Sequence, residues 1–137
     1  MASSKPRKRR KSRRAKRSTF YPSEKCASPV LNLRSGWERA YVQYLEDCDA
    51  VIEYDYEPYA IEYVSNKRTG KKRRYWPDFE VKWEDGRTVI VEIKPKKKVT
   101  QARNVKKMTA ARAYAKLIGC EYVVVTEVEL KNLGLLV

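Results

Sequence analysis

The chain has 137 residues, 31 Lys or Arg against 17 Asp or Glu, a formal net charge of +14 and no histidine. That length supports one domain with a modest core. The missing imidazole removes His-based nucleases and Ser-His-Asp hydrolysis, and a zinc site would need an unusual ligand set, which leaves carboxylates, lysines or a metal held by oxygen.

Residues 1–19 read as a basic arm. Its first 17 residues hold Lys5, Arg7, Lys8, Arg9, Arg10, Lys11, Arg13, Arg14, Lys16 and Arg17 with no acid, so the remainder carries 21 basic and 17 acidic residues, only +4. Such a run repels itself and has nothing apolar to bury. It is expected to be disordered alone and to neutralise phosphates; the competing reading is a solubilising tail or an import signal. No apolar stretch follows it, so it is not a signal peptide, and no run reaches the ~20 apolar residues of a membrane span. Cys26, Cys48 and Cys120 include no Cys-x-x-Cys pair, so thiols are expected in place of a disulfide framework.

Residues 20–34, with Pro22 and Pro29, read as an extended tether to a domain spanning 35–137. Ser35-Gly-Trp-Glu38 has the pattern of a capping box, and Trp37, Tyr41, Tyr44, Leu45 and Cys48 recur at helical spacing, which predicts a helix over about 36–48. The β-rich stretch 51–64 reads as one long strand or two short ones broken near Pro58, followed by a basic loop over 65–74. A strand over 74–83 then turns through Asp85-Gly86 into an antiparallel neighbour, TVIVEIK. Thr100 is expected to cap a helix in which Gln101, Val105, Met108, Arg112, Ala115 and Ile118 share one side, and Gly119 to end it. A strand over 120–128 follows, and the remaining LKNLGLLV reads as a tail packed on the domain. The order α-β-β-β-α-β predicts an α/β fold with a mixed sheet flanked by helices.

Alternation along a strand places Glu92 and Lys94 on one face, and the hairpin partner brings Asp78 toward the same patch. Val89, Ile90, Val91 and Ile93 make this strand a buried one, where unpaired charges are costly. Two carboxylates pointing at one spot are stable there mainly with a hard cation between them, for which Mg²⁺ is the natural candidate, with Mn²⁺ as a substitute. A lysine beside that ion can orient or deprotonate a water and offset charge developing on phosphate. Each residue alone also fits a solvated strand face or a turn. The conjunction points to hydrolysis of a phosphodiester.

Trp76-Pro77-Asp78-Phe79, followed by Val91-Glu92-Ile93-Lys94 and preceded by Arg34-Ser35-Gly36-Trp37-Glu38, resembles the PD-(D/E)xK nuclease superfamily. The resemblance covers about 34–128. Within the superfamily the chain is most similar to TnsA-type transposon endonuclease subunits and to small phage endonucleases. It implies a restriction-endonuclease-like core, metal ligation by Asp78 and Glu92, action of Lys94 on the water, and Glu38 reaching the site from the first helix. It also implies a DNA partner, a homodimer or a larger transposase or virion assembly, and a place in the bacterial cytoplasm or the virion. Full-length transposon subunits carry a further C-terminal domain, so a self-contained, phage-encoded nuclease is the expectation. Lys71, Lys72, Arg73 and Arg74, with Lys96, Lys97 and Lys98 beside the site, suit a DNA groove. Two rivals stand beside this reading. One is a structural DNA-binding protein with a nuclease-like fold, such as a phage head-completion component; the other is a basic RNA-associated protein, which leaves the meeting of Asp78, Glu92 and Lys94 without a reason.

Overall fold

The computed structural model describes residues 19–22, 24–26, 30–33 and 35–136; residues 1–18 of the basic arm lie outside them, and Thr19 opens the first strand. Along the chain come β1 (Thr19–Pro22), β2 (Val30–Leu33), α1 (Gly36–Asp47), β3 (Val51–Tyr56), β4 (Ile61–Asn66), β5 (Lys71–Tyr75), β6 (Phe79–Trp83) and β7 (Thr88–Ile93). They are followed by α2 (Lys96–Val99), α3 (Ala102–Ile118), β8 (Glu121–Val125) and α4 (Glu127–Asn132).

The central sheet has the order β3-β6-β7-β8, antiparallel except for the parallel pair β7–β8. It is a mixed sheet flanked by helices, consistent with a restriction-endonuclease-like core. Trp83 and Gly86 close the β6–β7 hairpin, with Gly86 donating to the Trp83 carbonyl from a positive φ of 93° that favours glycine. The parallel β8 requires a crossover, which α3 supplies. Tyr41, Val42 and Leu45 of α1 and Leu130 of α4 cover one sheet face, packing on Tyr54, Phe79, Val81, Val89 and Val91. On the other side Ala111 of α3 packs with Ile61, Tyr63 and Tyr75.

Several local expectations need correction. The stretch 51–64 takes the second of its two expected forms, two short strands broken at Glu57-Pro58, and what the sequence did not foresee is that they lie in different sheets: Glu57 adopts a positive φ of 48°, its N–H bonds the Asp78 carbonyl at 2.8 Å, and Pro58 follows, so the chain leaves the central sheet there. The basic segment 65–74 is mostly not a loop. Lys71–Tyr75 pairs antiparallel with β4, and the turn between them is tied by the Asn66 side chain, which accepts from the N–H groups of Arg68 and Thr69. Trp76-Pro77-Asp78 then separates β5 from β6, where one continuous strand had been expected. Thr100 ends α2 and Gln101 precedes α3, joined through Asn104 Nδ2, which donates to the Lys98 carbonyl and to Gln101 Oε1. The buried side of α3 is Asn104, Met108, Ala111 and Ala115; Val105 and Ile118 are exposed. The expected face was rotated because α3 packs on a hairpin as well as on the sheet. Residues 20–34, expected as a tether, supply β1, β2 and the buried Leu33, and the Lys25 ammonium donates to the carbonyls of Leu45 and Cys48. The C-terminal tail includes α4, closed by a capping box between Thr126 and Glu129.

Candidate active site

Asp78 immediately precedes β6, Glu92 lies near the end of β7 and Lys94 just beyond it. Because Phe79 pairs with Val91, the hairpin sets Asp78 beside the end of β7, where Asp78 Oδ2 accepts from the Ile93 N–H at 2.7 Å. Lys94 is fixed by its own N–H, which donates to the Val125 carbonyl at 2.9 Å. Glu38 reaches the same region from the first turn of α1. The Ser35 hydroxyl caps that helix by accepting from the Glu38 N–H, and the Glu38 carboxylate accepts from the Tyr56 hydroxyl at 2.8 Å.

The electrostatics link these groups. Burial, then the charges of Glu92 and Glu38, push the Asp78 carboxyl well above the usual carboxylate range, opposed by the Ile93 N–H and by Lys94. Glu92 is buried and is pushed up to about 6 by desolvation, opposed by Lys94, the hydroxyls of Tyr75 and Tyr122, and Lys107. The Tyr122 hydroxyl donates to Glu92 Oε1 at 3.4 Å. The Lys107 amine is pulled down by burial and by its neighbours Lys94 and Arg103.

Of the residues expected at the site, Glu92, Lys94 and Glu38 each act on Asp78, and Lys94 acts on Glu92 as well. Among the described residues, no three His, Cys, Asp or Glu side chains stand closely enough to hold a metal ion by themselves. The carboxylates are neighbours in charge without forming a closed ligand set. Gln101 is exposed and spends its side-chain oxygen on Asn104. Lys71, Lys72, Arg73 and Arg74 are exposed on β5, and Lys96, Lys97 and Lys98 are exposed on α2, two residues beyond Lys94. Sequence reasoning missed Tyr56, Tyr122 and Lys107 as neighbours of the acids. The tyrosines carry no pattern that separates them from core tyrosines, and Lys107 enters only through the docking of α3.

The pH dependence of stability follows in sign. Glu92 has a folded pKa above its unfolded value, so its contribution is fully present below about pH 4.5 and is lost as pH rises through about 6. Glu92→Gln, which keeps an acceptor for Tyr122, is expected to be more stable than the parent by about 2 kcal/mol at pH 8 in EDTA, with the gain vanishing near pH 4.5. Urea unfolding at the two pH values measures this, and an equal offset at both would contradict it.

Two comparisons bear on this arrangement. The family described as TnsA-like endonuclease N terminal matches residues 48–127, which include Asp78, Glu92 and Lys94. A curated relative, the head completion nuclease of Enterobacteria phage T4, is 29% identical over 126 residues, covering 76% of this chain and 83% of that protein.

Proposed function

Since the chain belongs to the family of TnsA-like endonuclease N-terminal domains, we propose that it is a head-completion component that binds DNA and hydrolyses its phosphodiester bonds with the help of a divalent metal. The observation that carries this is the placement of Asp78, bonded to the Ile93 N–H just before β6, beside Glu92 and Lys94 at the end of β7, with both carboxyls desolvated. The head-completion context is taken from the phage T4 relative. Among the described residues no helix is long and apolar enough to cross a membrane; a virion or a host cytoplasm suits the reading.

The donor set fits Mg²⁺, or Mn²⁺ in its place: it consists of hard carboxylate oxygens, and Mg²⁺ keeps several waters and needs only one or two carboxylates from the protein. Asp78 and Glu92 would hold the ion, with Glu38 completing its charge balance. When bound, such an ion polarises the scissile phosphate and lowers the pKa of water. Lys94 would orient the attacking water, whose oxygen forms the new P–O bond as it gives a proton to solvent, and would offset negative charge on the five-coordinate phosphorus while the P–O bond to the leaving oxygen breaks and that oxygen takes a proton from solvent. The Tyr122 hydroxyl, which donates to Glu92 Oε1, favours the ionised form of Glu92. Exposed cations on β5 and α2 hold the flanking backbone, which fixes orientation and carries no sequence information.

The direct test is incubation of the full chain with supercoiled, linear and four-way-junction DNA in Mg²⁺, Mn²⁺, Ca²⁺ or EDTA. Cutting in Mg²⁺ and Mn²⁺ that EDTA abolishes is the expected result. DNA binding without cutting in any metal would favour the second reading, a non-catalytic structural component, which the lack of a closed acidic cluster among the described residues supports.

Two substitutions in α1 separate folding from chemistry. Ser35→Ala is expected to cost about 1 kcal/mol of stability with little change in turnover. Glu38→Gln can still accept from Tyr56 but brings no charge, so activity is expected to fall about 10- to 100-fold with a nearly unchanged melting temperature. Unaltered turnover would make Glu38 structural.

A further inference from the structure

The β4–β5 hairpin and the first turns of α3 enclose an open groove of about 530 Å³, and among its lining residues are Tyr63, Lys71, Arg73, Arg103 and Lys106. Arg103 and Lys106 come from a helix for which the sequence offered no nucleic-acid role. The two faces of β5 differ in charge balance. On the outer face Lys72 pairs with Glu62 at 3.7 Å and the Arg74 guanidinium lies over the Trp76 ring. On the groove face, among the described residues, Lys71, Arg73, Arg103 and Lys106 have no carboxylate partner. Concentrating unneutralised cations on one side of a hairpin costs repulsion unless an anion is drawn there.

The groove also has a direction. Residues alternate along β5, so Lys71, Arg73 and Tyr75 follow one another on one side at roughly 6.6 Å per step. Tyr75 is the inner end, because its hydroxyl lies against Glu92 and donates to the Lys107 carbonyl at 3.1 Å. On α3, Arg103 and Lys107 are one helical turn apart on the same side, and the Lys107 ammonium lies 5.7 Å from the Tyr75 ring and 6.0 Å from that of Tyr63. Lys106 ties the two walls together by donating to the Ser65 carbonyl at 2.8 Å. A row of cations therefore leads from the hairpin toward the acidic pair, on a scaffold that its own hydrogen bonds hold open.

We propose that this groove is a strand track, in which Lys71, Arg73, Arg103 and Lys106 bind successive phosphates of one DNA strand running toward Asp78 and Glu92. The inference rests on the DNA-cutting reading above and adds to it the path of the substrate. An extended polyanion suits the site better than a small one, since the cations are spread along the groove and do not converge on one point. The strand belongs either to a duplex or to an unpaired segment, and the same phosphate chemistry serves both.

The test measures binding, not cutting. Full-length parent, the double variant Arg73→Ala with Arg103→Ala, and Lys82→Ala are titrated against a fluorescent duplex and a fluorescent single strand between 50 and 200 mM salt in EDTA. Both arginines are exposed, so the fold is expected to survive, and circular dichroism checks it. Loss of two phosphate contacts lowers the log–log salt slope by about 1.8 on duplex or about 1.4 on single strand. Over that salt range this removes roughly a 12-fold or 7-fold part of the salt dependence. Lys82→Ala, at an exposed lysine of β6 that pairs with Glu53 at 3.8 Å, leaves the slope unchanged. A drop with either probe supports the track and the probe identifies the strand. A parental slope with both probes, or an equal drop in Lys82→Ala, overturns the track while leaving the nuclease reading intact. A parent that does not bind DNA at all overturns both.

Discussion

Asp78→Ala is expected to reduce metal-dependent cleavage by about 10³-fold or more while leaving the fold and most DNA affinity in place. Asp78 sits where the β6–β7 hairpin ends, and its Oδ2 bonds the Ile93 N–H, so the substitution removes one hydrogen bond and one half-buried carboxyl group. Removing that charge also relieves repulsion with Glu92 and Glu38. The variant should therefore lose little stability in EDTA, and a collapse of stability would mean that Asp78 is chiefly a hairpin lock. Glu92→Ala and Lys94→Ala should give losses of the same size, and the triple variant should be scarcely worse than any single one, because groups that act as a unit are not additive. Supercoiled-plasmid nicking in Mg²⁺ measures the effect. Full activity in a clean Asp78→Ala preparation would remove the assignment of this pair as the reacting centre.

Deleting residues 1–17 is expected to change affinity and not chemistry. Those residues carry ten Lys or Arg and no acid. If about five of these charges meet phosphates, the log–log salt slope falls by roughly 4.5, equivalent to about a 500-fold change in affinity between 50 and 200 mM salt. The truncated chain should fold, bind DNA weakly and still cut at high protein concentration. A parental slope would show that the arm does not touch DNA. Intact DNA binding with failed incorporation into a particle would make the arm a docking peptide for a virion protein. This deletion and the Arg73–Arg103 pair act at separate places in the chain, so their effects on the slope should add.

The elements that carry the site were legible in order. Val89 to Ile93 read as a buried strand, the Asp-Gly turn joined it to its predecessor as a hairpin, and strand alternation then brought Asp78 and Glu92 together. The Ser35 cap and the Gly119 stop were equally local, each set by hydrogen-bond geometry within one helical turn of its residue. Where the reading went astray, long-range packing decided. The basic stretch Lys71–Arg74 looks like a loop because its charges hide a period of two, and it becomes a strand only by pairing with β4, which the Glu57-Pro58 bend has turned out of the central sheet. The exposed Val105 and the buried Asn104 exchange their expected places because α3 rests on that hairpin as well as on the sheet. Composition and local pattern determined the fold class, the hairpin and the acidic pair, since these follow from backbone geometry over a few residues. Which tyrosines and lysines surround the acids, and the cationic groove beside them, was decided only when α3 and the β4–β5 hairpin packed together, because packing free energy selects orientations that no single segment encodes.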